Sequence, residues 1–218
     1  MSDAPFIRGA LPIDQQVALR TAAAQLQKRF EGVFSPETIE RFLHQSYDQF
    51  AARASVQNWL PLLAERFARQ RLTALARVEG KSDDSRPVVL FLCVHNAGRS
   101  QMAMGFFQHL AAGRGIAWSG GSEPGYQVNA AAIEAMAERG IDISSEFPKP
   151  WTDEVVRAAD VVITMGCGDA CPIFPGKRYE DWALDDPKGL TVADVRPIRD
   201  DIERRVRALL EQVLPVPA

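Results

Sequence analysis

The stretch VVLFLCVHNAGRSQMA, residues 88–103, decides the fold of this 218-residue chain. Five strongly apolar residues run into Cys93, and Arg99 and Ser100 follow it six and seven positions later. A short apolar run that gives way to polar residues and a glycine is typical of a buried strand followed by a tight loop. The stretch therefore predicts a buried strand that delivers a cysteine to a polar loop.

Strand-like and helical patterns alternate along the second part of the chain. The strand-like segments are residues 86–94, 116–122 and 159–166, and the helical segments are residues 100–112, 129–140 and 196–214. This order predicts an α/β domain over residues 88–218, built on a parallel sheet with helices on both faces. In such sheets ligands bind beyond the carboxyl ends of the strands, where Cys93, Ser119 and Cys167 fall.

The first part of the chain, residues 1–80, has helical periodicity and predicts a small three-helix bundle. Ser35 and Pro36 are typical of a helix start, and Pro61 is tolerated in the first turn of another helix. The polar segment between the two parts predicts a solvated linker at residues 81–87. A bundle of this size buries little core, so we expect it to dock on the larger domain or to form a homodimer with a second copy.

Composition excludes several classes of partner. The net charge of -3 gives no field that attracts nucleic acid or anionic lipid, so a bound anion must be held by a local site. The sequence has neither the pattern of a signal peptide nor an apolar run that spans a membrane, and we expect a cytoplasmic protein. Its three cysteines are too few for a disulfide framework and indicate redox or nucleophilic chemistry.

The loop after the first strand has the composition of an oxyanion site. Its backbone is expected to wrap a tetrahedral anion at the start of a helix, through the residues Val94, His95, Asn96, Ala97, Gly98, Arg99 and Ser100. Gly98 allows a close backbone approach, and Arg99 can donate to two oxygens of the anion. Ser100 can hydrogen-bond the Cys93 sulfur, and these contacts favour the thiolate, which is the nucleophilic form.

Several motifs in the second part resemble the low-molecular-weight protein tyrosine phosphatase superfamily, and within it the arsenate reductases. They are CVHNAGRSQMA at residues 93–103, SGGSEPG at residues 119–125, AMAERGIDIS at residues 135–144, ADVVITMG at residues 159–166 and DDP at residues 185–187. The motifs occur in order over the whole second part and none lies in the helical part. The resemblance implies a low-molecular-weight phosphatase-like fold for residues 88–218, with a four-stranded parallel sheet and helices on both faces.

The resemblance also implies roles for the loop residues. Cys93 would be the nucleophile, and Arg99 with the loop amides would bind the oxyanion. Asn96 would brace the loop, with Ser119 as its support.

The segment DDP resembles the loop that carries the general acid in this superfamily. Asp186, directly before Pro187, would donate the proton, and Asp185 is an alternative donor. Such a donor is needed because a leaving oxygen requires a proton, whereas the oxyanion loop supplies only charge stabilisation.

Two further cysteines favour a reductase over a phosphatase. Reduction of arsenate takes two electrons that thiols must supply, and Cys167 and Cys171 follow the third strand at a spacing that one helical or turn-like segment places on the same side. In the resembling three-cysteine arsenate reductases, one such cysteine attacks the arsenic-bearing nucleophile and the next presents the disulfide to thioredoxin. The resemblance therefore implies a relay from Cys93 to Cys167 and then Cys171, with thioredoxin as external reductant and no bound cofactor.

Other activities stay open at this point. Phosphatases of the superfamily tend to carry aromatic residues after the general acid, and DDPKGLT has none, which weakens a phosphatase without excluding it. Mycothiol is an alternative reductant to thioredoxin. A non-catalytic oxyanion sensor is a further alternative, against which the set of cysteine, arginine and aspartate argues.

Metal dependence is not expected. A zinc site would need two ligands besides the two rear cysteines, and the chain offers only His44, His95 and His109. Some related reductases hold potassium with a glutamate in the helix after the loop, and Met104 takes the matching position. The resemblance therefore implies no potassium dependence.

Overall fold

A computed structural model describes residues 11–52, 59–166 and 173–214. The chain divides into two compact units, Met1–Leu72 and Thr73–Ala218. The division falls inside the third helix, whereas the helical part was predicted to reach residue 80. The reason is that the last turns of this helix bear Ala74, which packs into a cluster beneath the sheet of the second unit.

The first unit consists of helices α1 (Ile13–Arg29), α2 (Pro36–Ala51) and the beginning of α3 (Leu60–Val78). Ser35 is the N-cap of α2, and its side chain accepts a hydrogen bond from the amide of Thr38, as its residue type predicts. The buried apolar side chains of this unit include Leu26, Ile39, Leu43, Phe67 and Leu72. The predicted three-helix region is present.

The second unit is built on four parallel strands, β1 (Val88–Cys93), β2 (Ile116–Gly121), β3 (Val161–Met165) and β4 (Arg178–Asp181). Their order in the sheet is β2-β1-β3-β4, so the chain moves from β1 to one side and then returns to the other. The helices of this unit are α4 (Arg99–Ala111), α5 (Ala130–Ala137), α6 (Asp153–Ala158) and α7 (Val192–Val213).

Strand β1 is buried on both faces because its side chains alternate between two hydrophobic clusters. Val89 and Phe91 lie in the cluster formed with α4, α5 and α7. Leu90 and Leu92 lie in the cluster formed with α6. The predicted α/β class, with a four-stranded parallel sheet and helices on both faces, is confirmed.

Three elements differ from the sequence-based assignment. Strand β4 was not located, because RYED is a charged edge strand without an apolar pattern. Helix α6 was missed because its six residues are too few to show a period. Helix α7 begins at Val192 rather than near residue 196, because Thr191 caps it by accepting from the amide of Asp194. Pro197 thus lies inside the helix.

The connection before β1 is tied to the second unit. Arg77 donates to the carbonyl oxygens of Asp84 and Arg86 at 3.0 and 2.9 Å and to the carboxylate of Asp160 at 2.9 Å. The same carboxylate oxygen of Asp160 accepts from the amide of Val88 at 2.8 Å. These contacts fix the point at which β1 enters the sheet.

Across the described ranges, no helix combines the length and the apolar character needed to cross a membrane.

Candidate active site

Cys93 is the last residue of β1 and lies at the carboxyl edge of the sheet. Its register partners are Gly121 of β2 and Met165 of β3, on either side. Because the chain leaves β1 toward β2 and later returns to β3, a crevice forms at this edge, which is where open parallel sheets bind ligands. The site is therefore fixed by the sheet topology.

The Cys93 sulfur is held by its own loop. It lies 3.2 Å from the amide nitrogen of Asn96, which donates to it, and 3.0 Å from Ser100 Oγ. Asn96 adopts a left-handed conformation, with φ of 46°, and its Nδ2 donates to Ser100 Oγ at 2.8 Å. The sulfur is therefore surrounded by hydrogen-bonding groups of its own loop.

The loop turns several of its carbonyl oxygens toward a neighbouring segment. Val94 O, His95 O and Ala97 O accept from the amides of Glu123, Gly125 and Asn129, respectively, at 2.8–2.9 Å. Because these carbonyl oxygens point outward and accept hydrogen bonds there, the backbone amides of the loop can point inward to an anion.

Helix α4 begins where this loop ends. Its N-cap is Gly98, which provides no side-chain hydrogen bond to the first turn. An N-terminus of this kind leaves first-turn amides available to an anion.

Arg99 and Asp186 face each other at the mouth of the loop. Arg99 is buried, with 7% of its surface exposed, and its Nη2 donates to Asp186 Oδ2 at 3.1 Å. Nη1 of Arg99 donates to the carbonyl oxygen of Leu184 at 3.3 Å. Asp186 Oδ1 accepts from the amide of Lys188 at 3.1 Å. The predicted oxyanion binder and the predicted proton donor are thus in contact.

Asp185, the alternative donor, lies elsewhere. It lines a separate cavity with Gly166, Asp181 and Asp201, whereas Asp186 lines the cavity that contains Cys93. Of the two aspartates, only Asp186 is among the described residues that line the cavity with Cys93.

Two contacts seat the segment around Asp186 against the loop. A Cβ on Gly98 would lie 2.4 Å from Pro187 Cγ, so the close approach of Pro187 requires glycine at that position. Asn129 Nδ2 donates to Pro187 O at 3.1 Å, while its Oδ1 accepts from the amide of Ala132 and caps α5. Asn129 was not singled out from the sequence, because its partner is 58 positions away.

The cavity above Cys93 has a volume of about 570 Å³. One wall is the segment from Glu123 to Ala130, and the opposite wall contains Asp186 and Lys188. Tyr126 in the first wall is 83% exposed. No sequence motif pointed to this aromatic residue, because it lies far before the segment that resembles the general-acid loop.

A buried polar network lies behind the loop. Asn96 Oδ1 accepts from the backbone amide of Lys149 at 2.9 Å, and Lys149 Nζ lies 3.3 Å from Ser119 Oγ. Ser119, predicted to support Asn96, is therefore joined to it by way of Lys149 rather than directly. Gln101 Nε2 donates to Asn96 O at 3.0 Å. Lys149 and Gln101 carried no recognisable motif role in the sequence.

Cys167 and Cys171 lie outside the described residues. The residue before them, Gly166, follows β3 with φ of 75°, and a Cβ at this position would lie 3.1 Å from Arg99 Nη1. The chain therefore leaves β3 beside Arg99. In the part of the chain that is described, no three His, Cys, Asp or Glu side chains form a group suited to a metal ion.

Two family models match the chain in separate places. One, described as Low molecular weight phosphotyrosine protein phosphatase, matches residues 88–215. The other, described as Protein-tyrosine-phosphatase-like, N-terminal domain, matches residues 19–76. The first covers the sheet and the site, and the second covers most of the helical part.

Individual proteins resemble the chain as well. It is 44% identical to the solved structure of a thioredoxin-dependent arsenate reductase from Corynebacterium glutamicum, with a TM-score of 0.81, over 91% of this chain and 97% of that one. It is 36% identical to a solved arsenate reductase in the phosphate binding state, with a TM-score of 0.51, over 58% of this chain and 98% of that one. Arsenate reductase 2 of Staphylococcus epidermidis is 35% identical over 127 residues, which are 56% of this chain and 95% of that protein.

Proposed function

Because the chain belongs to the low molecular weight phosphotyrosine protein phosphatase family, we propose that it is an arsenate reductase that uses Cys93 as the nucleophile and thioredoxin as the electron donor. The observation that carries this proposal is the Cys93 sulfur, held by the Asn96 amide and Ser100 Oγ opposite the pair of Arg99 and Asp186. The similarity of the chain to a solved thioredoxin-dependent arsenate reductase, over 91% of its length, supports arsenate as the substrate and thioredoxin as the reductant.

The first step is nucleophilic displacement at arsenic. Arsenate sits in the loop, with Arg99 and the amides of residues 94–100 on its oxygens. The Cys93 thiolate attacks arsenic, a bond from sulfur to arsenic(V) forms, and one arsenic–oxygen bond breaks. Asp186 supplies the proton with which that oxygen leaves as water.

The second step moves two electrons from thiols to arsenic. The Cys167 thiolate attacks Cys93 Sγ, a disulfide forms, and arsenic leaves with the electron pair of the sulfur–arsenic bond as arsenite. Cys167 follows Met165 by two residues, and Met165 is the register partner of Cys93. This short separation in sequence from the register partner of Cys93 supports Cys167 as the attacking thiol, because two residues span at most about 7 Å.

The third step frees the nucleophile. Cys171 attacks the Cys167 sulfur of the disulfide, which releases Cys93 and leaves a Cys167–Cys171 disulfide for thioredoxin to reduce. Such a cycle requires a reducing compartment, and we expect the cytoplasm. Mycothiol is the alternative reductant, and it would require Cys93 but neither rear cysteine.

The helical unit is proposed to pair with a second copy of the chain. Ile13 and Val17, four residues apart on α1, are 78% and 52% exposed, and Trp59 and Leu62 at the start of α3 are 66% and 51% exposed. Exposed apolar residues in such groups are typical of protein interfaces. Glutamate in place of both Ile13 and Val17 should convert a dimer to a monomer in sedimentation analysis, and an unchanged mass would contradict this proposal.

The decisive experiment follows NADPH consumption with arsenate, the full-length protein and thioredoxin with its reductase. Replacement of Cys93 by serine should abolish turnover. Replacement of Cys167 by serine should prevent the disulfide with Cys93, and replacement of Cys171 by serine should leave that disulfide in place, so each variant should complete at most one turnover.

Parallel assays separate the alternatives. Turnover that survives both rear replacements, and that depends on mycothiol, would identify the mycothiol route. Hydrolysis of p-nitrophenyl phosphate without arsenate-dependent NADPH consumption would contradict the reductase and identify a phosphatase.

A further inference from the structure

Lys149 is a buried cation that the proposed reaction does not yet use. Only 2% of its surface is exposed. Its Nζ lies 3.3 Å from Ser119 Oγ, 3.4 Å from Phe147 O and 3.9 Å from Glu146 Oε2, and it lies 4.6 Å from the centre of the Phe147 ring. An ammonium group has three donors and is costly to bury without acceptors, so these surroundings suit its charged form.

The segment of Lys149 is bonded directly to the oxyanion loop. Its backbone amide donates to Asn96 Oδ1 at 2.9 Å. The carbonyl oxygen of Phe147, which accepts from the Lys149 ammonium, also accepts from Gln101 Nε2 at 3.2 Å. Gln101 Nε2 donates in turn to Asn96 O. The ammonium and the loop therefore share partners.

Asn96 needs such support because of its backbone conformation. A φ of 46° is unusual for a residue other than glycine and persists only where the surroundings enforce it. In this conformation the Asn96 amide points at the Cys93 sulfur, 3.2 Å away. The contacts from Lys149 and Gln101 hold the residue that aims this amide.

The loop and the Lys149 segment meet at the end of β2. Gly121 N donates to Lys149 O at 3.0 Å, and Gly121 is the register partner of Cys93. A Cβ on Gly121 would lie 2.6 Å from Val94 O in the loop. Lys149 is thus separated from the carboxyl end of β1 by a single strand.

We propose that Lys149 is a positioning residue for oxyanion binding: its buried ammonium fixes the segment whose backbone amide and Phe147 carbonyl support Asn96 in the left-handed conformation, and it places a fixed positive charge behind the anion. This rests on the proposed function, because it concerns the loop that binds arsenate there. A charge fixed in a site of low dielectric acts more strongly than one in water and needs no reorganisation when the anion arrives.

The test measures phosphate binding by calorimetry with full-length variants. Lys149→Met removes the charge and keeps a long side chain, and should raise the phosphate dissociation constant about tenfold, the size expected for loss of one partly screened charge. Lys149→Arg should keep most of the affinity. The matched control is Lys177→Met, whose ammonium donates to the carbonyl oxygens of Arg157 and Ala159, and which should bind phosphate as the parent does.

Chemical rescue separates a charge from a packing role. Phosphate binding by Lys149→Ala should recover in part when methylammonium is added, whereas trimethylammonium, which has one donor and more bulk, should have little effect. Parent-like phosphate binding by a folded Lys149→Met would overturn the proposal. So would a Lys149→Arg variant as weak as Lys149→Met together with no response of Lys149→Ala to methylammonium.

A second variant covers the case in which Lys149→Met does not fold. Ser119→Ala removes one acceptor of the ammonium with little change in volume, and should weaken phosphate binding about threefold, the lower end of what one lost hydrogen bond costs, because the effect reaches the anion only through Lys149. Unchanged binding would then overturn the proposal. Phosphate binding requires neither arsenate nor thioredoxin, so a parent protein that binds phosphate without reducing arsenate would contradict the reductase alone.

Discussion

The guanidinium of Arg99 is paired with the carboxylate of Asp186, 3.1 Å from Nη2 to Oδ2, across the mouth of the loop. The arginine side chain is 9% exposed and the aspartate side chain 45% exposed. The pair is therefore anchored on the arginine side and solvated on the aspartate side. In the proposed reaction, an oxyanion that enters the loop would compete with Asp186 for the same guanidinium, and its binding would free Asp186 to donate a proton.

Asp186→Asn should separate proton donation from anion binding. We expect kcat for arsenate reduction to fall about 100-fold, the size typical of a lost general acid. The phosphate dissociation constant should stay the same or decrease, because the competing carboxylate is gone from Arg99. Calorimetry and steady-state kinetics measure the two quantities. Asp185→Asn, in the neighbouring cavity, is the matched control, and an equal loss of kcat in it would contradict the assignment of Asp186.

Gly98→Ala should displace the segment that carries Asp186. The added Cβ would lie 2.4 Å from Pro187 Cγ, so Pro187 must move away. We expect the anion-binding loop to persist while Asp186 moves away from it. The value of kcat should then fall about tenfold or more, because a misplaced catalytic group contributes less to the rate. Gly125→Ala provides the control, since its Cβ would have no contact closer than 3.6 Å. A Gly98→Ala variant with parent-like kcat would show that Pro187 yields without moving Asp186.

Asn129→Asp tests the tether between the pocket wall and Pro187. Aspartate keeps the oxygen that caps α5 but loses the Nδ2 donor to Pro187 O. Since Asp and Asn cap helices about equally well, we expect an unchanged melting temperature and a lower kcat. Asn129→Ala, which loses both contacts, should lower the melting temperature as well. Equal kcat values for Asn129→Asp and the parent would show that the hydrogen bond from Asn129 to Pro187 does not affect catalysis.

The sequence predicted the parts of the site that are local. Strand, loop and helix follow one another within residues 88–111, so an apolar run, a cysteine and an arginine near a glycine suffice to place them. The supports are not local: Lys149 bonds Asn96 across 53 positions and Asn129 bonds Pro187 across 58 positions. Hydrogen bonds of this kind form only when the sheet and helices pack together, so a periodic pattern in the sequence does not predict them.

Strand β4 was missed for a related reason. It pairs with one neighbour at the sheet edge, and its RYED sequence is no more apolar than a loop. Edge strands commonly carry charged side chains, which prevent them from pairing with other chains. The charges that suit RYED to the sheet edge also remove the apolar pattern by which a strand is recognised in a sequence.

Glu138→Gln should change how stability depends on acidity. Hydrogen bonds from Arg196, then from Arg199, lower the pKa of Glu138 from 4.5 to about 2. The native state therefore favours the ionised carboxylate, and its contribution to stability is complete above pH 4.5 and disappears as the pH falls toward 2. Urea midpoints at pH 7 should be lower in Glu138→Gln than in the parent, and the two should converge between pH 4.5 and 2.

The parent curve will still fall in acid, because Asp84 also has its pKa lowered to about 2, chiefly by a hydrogen bond from Arg86. The informative quantity is therefore the difference between parent and variant. The control for loss of one carboxylate is Glu211→Gln, near the C-terminal end of α7, whereas Arg196 and Arg199 lie near its start. Its urea midpoints should match those of the parent across the same pH range. A constant gap between parent and Glu138→Gln from pH 7 to pH 2 would mean that the pairs with Arg196 and Arg199 do not set the acid dependence at this position.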